Sequence, residues 1–155
     1  MLWYTGSNIQ ITWETIIEKC AYHHSQGGRF YVGCNSHIHA NKCSYVEAIC
    51  LHGANGQQGG AYFYRRENSI LQKKVMLRER ITNEASRSIN LALELVECLP
   101  QSAQIEVHLD ISPDKANATG VLSESLTGYA KSAGFVCKIK PESWAASSIA
   151  DVQTR

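Results

Sequence analysis

Residues 105–111, Ile-Glu-Val-His-Leu-Asp-Ile, alternate apolar and polar side chains without a break. That two-residue period marks a strand with two unlike faces. Ile105, Val107, Leu109 and Ile111 would face a core, and Glu106, His108 and Asp110 the other side. Ser112-Pro113-Asp114 then signals a turn, which puts Asp110 at the carboxyl end of a strand, where α/β sheets hold their ligands. On its own such an Asp reads as readily as a residue that closes the strand. A second carboxylate lies on a helical pattern, where it reads as an inward residue or, if the stripe is displaced by one position, as a partly exposed one. Leu77, Ile81, Ala85, Ser88, Ala92, Leu95 and Leu99 recur at helical spacing, and Glu84 falls on that stripe. A carboxylate on the buried edge of a helix is costly unless something pairs with it. Acidic groups gathered at such positions repel one another until a hard cation neutralises them.

The elements that must position these residues follow from the rest of the pattern. Thr12 is a plausible N-cap for a helix over about 12–24, ended near Gly27-Gly28. Residues 29–35, 44–51 and 61–65 read as three strands joined by short loops, an antiparallel meander whose third strand is exposed at a sheet edge. The glycine-rich connection Gly53–Gly60 lacks the Gly-Lys-Ser/Thr of a phosphate loop and reads as a hairpin loop. A long helix covers about 70–99 and stops at Pro100. After the Asp110 strand, Asn117 is a suitable N-cap for a helix bearing Ala118, Val121, Leu122, Ser125, Leu126, Tyr129 and Ala130 on one face, with Gly134 as its C-cap. Residues 135–139 make a fifth strand, and Pro141 suits the first turn of a last helix with Trp144, Ser147, Ser148 and Asp151 on one side. The order is a β-β-β-α-β-α-β-α core with an extra N-terminal helix. It is an α/β fold built on a five-stranded mixed sheet, with its last strands joined in parallel by right-handed crossovers.

Composition narrows the class. One domain spanning 1–155 has enough chain for a real core. A net charge of +1 gives no bulk electrostatic argument for nucleic acid. Six cysteines without a C-x-x-C, and no targeting pattern after Met1, point to reduced thiols and a cytoplasmic location. No stretch is long and apolar enough to span a membrane.

Four motifs carry a resemblance: Tyr31-Val-Gly-Cys-Asn-Ser36, Arg80-Ile-Thr-Asn-Glu-Ala85, Glu106-Val-His-Leu-Asp-Ile111, and Lys140-Pro-Glu-Ser-Trp-Ala-Ala-Ser147 followed by Ala150-Asp151. Each is short, but their order and spacing over residues 29–151 resemble the YkuK-type family of the ribonuclease H-like superfamily. That superfamily sets one carboxylate each on its first strand, first core helix, fourth strand and final helix. The resemblance implies a metal-dependent nuclease in which Glu84, Asp110 and Asp151, with Asn35 in the fourth place, ligate Mg²⁺ or Mn²⁺ and hydrolyse phosphodiester bonds of RNA or DNA by a two-metal mechanism. Asp151 rests on the resemblance alone, since it otherwise reads as a surface residue near a frayed end. Where the family pattern is Gly-x-Asp-Ser, this chain has Gly33-Cys34-Asn35-Ser36. An amide oxygen is a weaker ligand for a hard cation than a carboxylate. Asn35 is either a change introduced to disarm the site or a native residue of a weakened or repurposed one, and both readings stay open. A non-catalytic protein of the same fold that binds nucleic acid or another partner is the alternative function.

Two features compete with this reading. His37-Ile-His39 would present both imidazoles on one side if extended, and with His108 and His52 could make a zinc site, although the segment reads as a loop. His37 or His108 could instead shuttle protons or contact phosphate. Residues 65–80 hold Arg65, Arg66, Lys73, Lys74, Arg78 and Arg80 against only Glu67 and Glu79. That stretch reads equally as a backbone-binding surface and as a solvated helix face. Lys138 and Lys140 could add phosphate contacts.

Overall fold

A computed structural model describes residues 2–55, 60–114 and 120–154. Its frame is one mixed sheet in the order β2-β1-β5-β4-β3-β6-β7. The strands are β1 (Trp3–Thr5), β2 (Gln10–Ile11), β3 (Arg29–His39), β4 (Lys42–His52), β5 (Gly60–Ile70), β6 (Ile105–His108) and β7 (Val136–Lys138). The helices are α1 (Trp13–Ser25), α2 (Leu77–Cys98), α3 (Gly120–Ser132) and α4 (Asp151–Thr154), the last continuing a π-helical segment, Ala145–Ala150. β3, β4 and β5 form the expected antiparallel meander, and β6 and β7 add to β3 in parallel. This is the α/β order read from the sequence, with the five core strands extended by β1 and β2. β1 pairs with Phe63–Arg65, so the third meander strand is covered there rather than open along the length read from the sequence.

The strands of the meander are longer than the hydrophobic pattern implies. β3 and β4 stay in register from Arg29↔His52 to His39↔Lys42 before turning at Ala40, whose φ is 54°. Asn35 is therefore inside a strand, and His37-Ile-His39 is strand rather than loop. β5 continues to Ile70 because it pairs with β4 out to Lys42, which delays α2 to Leu77. Backbone ladder bonds hold these polar segments extended where side-chain pattern alone is mute. The Asn117 cap and Ala118 lie outside the described residues.

Alternation along β3 assigns its faces. Phe30 and Val32 enter the main core with Ile49, Phe63, Ile89, Leu95 and Val107, beneath the helices. On the other face Val46, Ala48, Cys50 and Tyr64 pack with Ala145 and Ala150 of the π-helical segment. The last helix thus starts at Ala145, not near Pro141. Lys140 N–H still bonds Ile111 O at 3.0 Å, so the chain runs beside the β6 strand until it turns over the sheet. The wide π turn also brings Ala145, Ala146 and Ala150 inward, in place of the Trp144–Ser147–Ser148 side expected of an α-helix.

Gly33 makes that packing possible. A Cβ there would lie 2.5 Å from Ala146 N and 2.7 Å from the Ala145 carbonyl carbon. Gly33→Ala is expected to lower unfolding stability by about 1–3 kcal/mol, because backbone cannot yield as a side chain can. Gly128→Ala on α3, where a Cβ meets nothing within 4 Å, should be neutral or stabilising by up to about 1 kcal/mol. Denaturant unfolding of the two variants checks the contrast; equal effects would show that the segment does not depend on Gly33.

Candidate functional site

Two neighbouring residues of β3 organise the site. Side chains of adjacent strand residues point to opposite faces. Asn35 therefore faces the π-helical segment and α4, and Ser36 faces α2. Asn35 Nδ2 donates to Asp151 Oδ1 at 3.1 Å, and its Oδ1 accepts from Ser36 N–H at 2.8 Å. Ser36 Oγ donates to Glu84 Oε2 at 3.2 Å and accepts from Arg80 Nε at 3.0 Å. Arg80 and Glu84 are one helical turn apart on α2, which lets both reach one hydroxyl.

Glu84 is buried as its place on the apolar stripe implies. Burial, and secondarily the Asp110 carboxylate, raise its pKa to about 8, against the opposing pull of the Ser36 hydrogen bond, Arg80 and Lys140. Both effects favour the protonated carboxyl. Asp110 follows the end of β6, held there by Leu109 N–H on Lys138 O at 2.9 Å. Asp110 and Glu84 line the same narrow cavity with Cys34. The Asp110 Oδ1 atom is sealed from solvent without a hydrogen bond; Lys140 Nζ stands 3.1 Å away, off the hydrogen-bonding line.

The four predicted residues thus assemble as two pairs around β3, Glu84 with Asp110 on the α2 side and Asn35 with Asp151 on the other. Among the described residues, no group of three or more His, Cys, Asp or Glu stands close enough to hold a metal ion. The donor set does not fit two metals. The Asn35 amide oxygen is engaged by Ser36 N–H, and its NH₂ group, a donor, is turned to Asp151. Glu84 and Asp110, which line one cavity, are the pair that could hold a single hard cation, since Mg²⁺ commonly uses one or two carboxylates and completes its shell with water and substrate phosphate.

The histidines make no zinc site. His108 pairs in register with Gly33, four residues and roughly 13 Å along β3 from His37 at about 3.3 Å per residue. His52 pairs with Arg29, farther still. His108 is buried among Tyr31, Trp144 and the Ala145 backbone, with Nδ1 accepting from Ala145 N–H at 3.1 Å. Burial, then Lys138, lowers its pKa to about 4. It is a neutral packing residue and no proton shuttle at neutral pH. The alternating pattern placed it on a polar face because the cover comes from residues 144–145, remote in sequence.

Comparison with known proteins places the chain in a family. A family model described as ribonuclease H-like matches residues 12–155, nearly the whole chain. The chain belongs to the ribonuclease H-like family. It is also 27% identical, over 172 aligned positions covering 99% of this chain and 97% of the relative, to the uncharacterised protein YkuK of Bacillus subtilis strain 168. No solved structure matches it.

Within this ribonuclease H-like chain the basic stretch is divided among several tasks. Arg65 is drawn into the fold: it pairs with buried Glu47 at 2.9 Å and with Glu94 at 3.4 Å, and its guanidinium lies over the Trp3 ring. Arg87, which the charge pattern did not single out, joins Glu47 at 3.3 Å and Glu67 at 2.7 Å. Arg80 supports Ser36. Arg66 remains on the sheet face beside His37, His39 and Lys42. The Arg80–Ser36–Glu84 chain was missed as a unit, although Arg80 stands four residues before Glu84 and Ser36 follows Asn35.

The raised pKa of Glu84 has a consequence for stability. Its carboxyl holds a proton in the folded state over a range where the unfolded chain has released it. The stability this supplies is complete below pH 4.5, declines as pH rises, and is lost above about 8. Glu84→Gln cannot ionise and should flatten that decline in melting temperature between these limits. Parallel pH profiles for the two proteins would show that Glu84 is already ionised in the fold.

Proposed function

We propose that this protein is a ribonuclease H-like nuclease of low hydrolytic capacity, acting on the phosphodiester backbone of RNA or DNA. The observation that carries the reading is the Asn35–Asp151 hydrogen bond, an amide placed against a carboxylate where the resemblance implies two acids. Glu84 and Asp110 would hold one Mg²⁺ or Mn²⁺, which supplies charge neutralisation and Lewis acidity at a phosphate oxygen. The chain's own groups do the remaining work. Ser36, itself held by Arg80, fixes the Glu84 carboxyl. Lys140 balances Asp110 and offers an exposed ammonium to a phosphate. Asn35 orients Asp151 and leaves the site one negative charge short.

A substrate strand has a basic path beside this site. The cross-strand rows Asn35–Val46–Arg66 and His37–Ser44–Asn68 share one face of the sheet, since paired residues point the same way. His37, His39, Lys42 and Arg66 surround a hollow there, closed by Thr154, one turn beyond Asp151. Its lining contains no carboxylate. Such a surface suits a phosphate backbone.

The same charge balance favours a second reading, a nucleic-acid-binding protein without catalysis. Lys140 beside Asp110, the amide on Asp151 and the raised pKa of Glu84 offset the charge of the acids without metal. One variant separates the two. Asn35→Asp restores the fourth acid and should raise Mg²⁺- or Mn²⁺-dependent cleavage of RNA, DNA or hybrid at least tenfold over the starting protein, with Asp110→Asn as the inactive blank. If Asn35→Asp cleaves no better than that blank, the nuclease reading fails. Binding that weakens with salt, and weakens further in Lys42→Ala/Arg66→Ala, would then support the second reading.

A further inference from the structure

A hollow lies on the α2 side, next to the candidate site but separate from its acids. It is a cavity of about 610 Å³ between the β3–β4 turn, residues 71–75 and the first turn of α2. That is the size of many small-molecule sites, roughly 300–1,000 Å³. Its lining sorts into three chemistries. Ile38, Leu71 and Leu77 supply apolar surface. Asn41 and Gln72 supply side-chain amides, each both donor and acceptor. Lys73, Lys74 and Arg80 supply positive charge, with no carboxylate in the lining to oppose them.

We propose that this cavity binds a nucleotide unit, with its phosphate on Lys73, Lys74 and Arg80 and its base on the apolar surface within reach of the two amides. An inorganic anion would use only the lysine and arginine side; a hydrophobic ligand would leave three cations without a purpose. A flat ring with polar edges attached to a phosphate uses all three chemistries together. The inference rests on reading the chain as acting on nucleic acid, which makes a nucleotide the phosphate-bearing body it meets.

Arg80 ties the cavity to the site. Its Nε is engaged by Ser36 Oγ, and the guanidinium fork retains further N–H donors for a phosphate. Arg80 is two hydrogen bonds from Glu84, through Ser36, so a nucleotide held on Arg80 is three away. The cavity selects and holds one nucleotide while the neighbouring phosphodiester meets the acids.

Calorimetric titration of the full chain in metal-free buffer tests this with 5′-AMP, adenosine, inorganic phosphate and a 5′-phosphorylated tetranucleotide. 5′-AMP should bind at least tenfold more tightly than adenosine or phosphate. Lys73→Ala/Lys74→Ala, both exposed positions, should weaken it at least tenfold, and Leu77→Gln should weaken 5′-AMP but not phosphate. Melting temperatures confirm that the variants are folded. A tetranucleotide that binds more tightly than 5′-AMP, with the same sensitivity to the variants, assigns the cavity to a chain end. A weaker one assigns it to a free nucleotide; both uphold the site. Binding of 5′-AMP no tighter than phosphate, or unchanged in both variants, overturns the proposal. The titration contains no metal and reads no cleavage, so its failure is distinct from an inactive Asn35→Asp.

Discussion

The approach of the Ala145–Ala146 backbone to Gly33 is the contact on which the site depends. A strand in the middle of a sheet offers two faces, and β3 uses both. Its α2 face carries Cys34 and Ser36 toward Glu84, and its other face carries Asn35 toward Asp151. The second relation exists only because the π-helical segment can lie flat on β3, where Gly33 has no side chain to hold it off. The small residues Ala145, Ala146 and Ala150 serve the same end from the helix side. Without that approach, Asp151 near the end of the chain would have no fixed place relative to the other acids.

Charge compensation is the second organising feature. Three carboxylates around one strand would repel one another, and this chain compensates each with its own groups. Asp110 has the Lys140 ammonium, Asp151 has the Asn35 amide, and Glu84 keeps its proton under burial and the influence of Asp110. On the same face of the meander, Glu47 is buried between Arg65 and Arg87. Breaking one partner of such a buried pair leaves an uncompensated charge and is far more costly than the pair's net worth. The two arrangements differ in kind. Glu47 is held at the centre of its network by two guanidinium groups, whereas Asp110 is paired with a single lysine whose side chain is half exposed.

The histidines show how a sequence pattern can mislead about chemistry. His37 and His39 suggested a metal site because two imidazoles on one strand face are a common ligand pair. His108 looked available because it alternates with apolar neighbours. The sheet register sets His108 opposite Gly33, well back along β3, and Tyr31 and Trp144 seal it in. Its ring accepts a backbone N–H and remains neutral. What is left for His37 and His39 is a place among cations on an open sheet face.

Periodicity along the chain was enough for the element order, the meander, the parallel addition of the last strands and the burial of Glu84, because each depends on side chains close in sequence. The family resemblance rested in the same way on short motifs in order. Strand ends were not legible: β3 and β5 run on through polar residues because partner strands satisfy their backbones, and no local hydrophobic signal records that. The π turn after Trp144, the covering of β5 by β1 and the split of the basic stretch between a buried network and open cavities are likewise contacts between distant segments. Asp110 and Glu84 could be named as acids in suitable places. That they share one cavity while Asp151 meets Asn35 across the strand follows from the two-sidedness of β3, which exists only once the sheet and its covering helices are assembled.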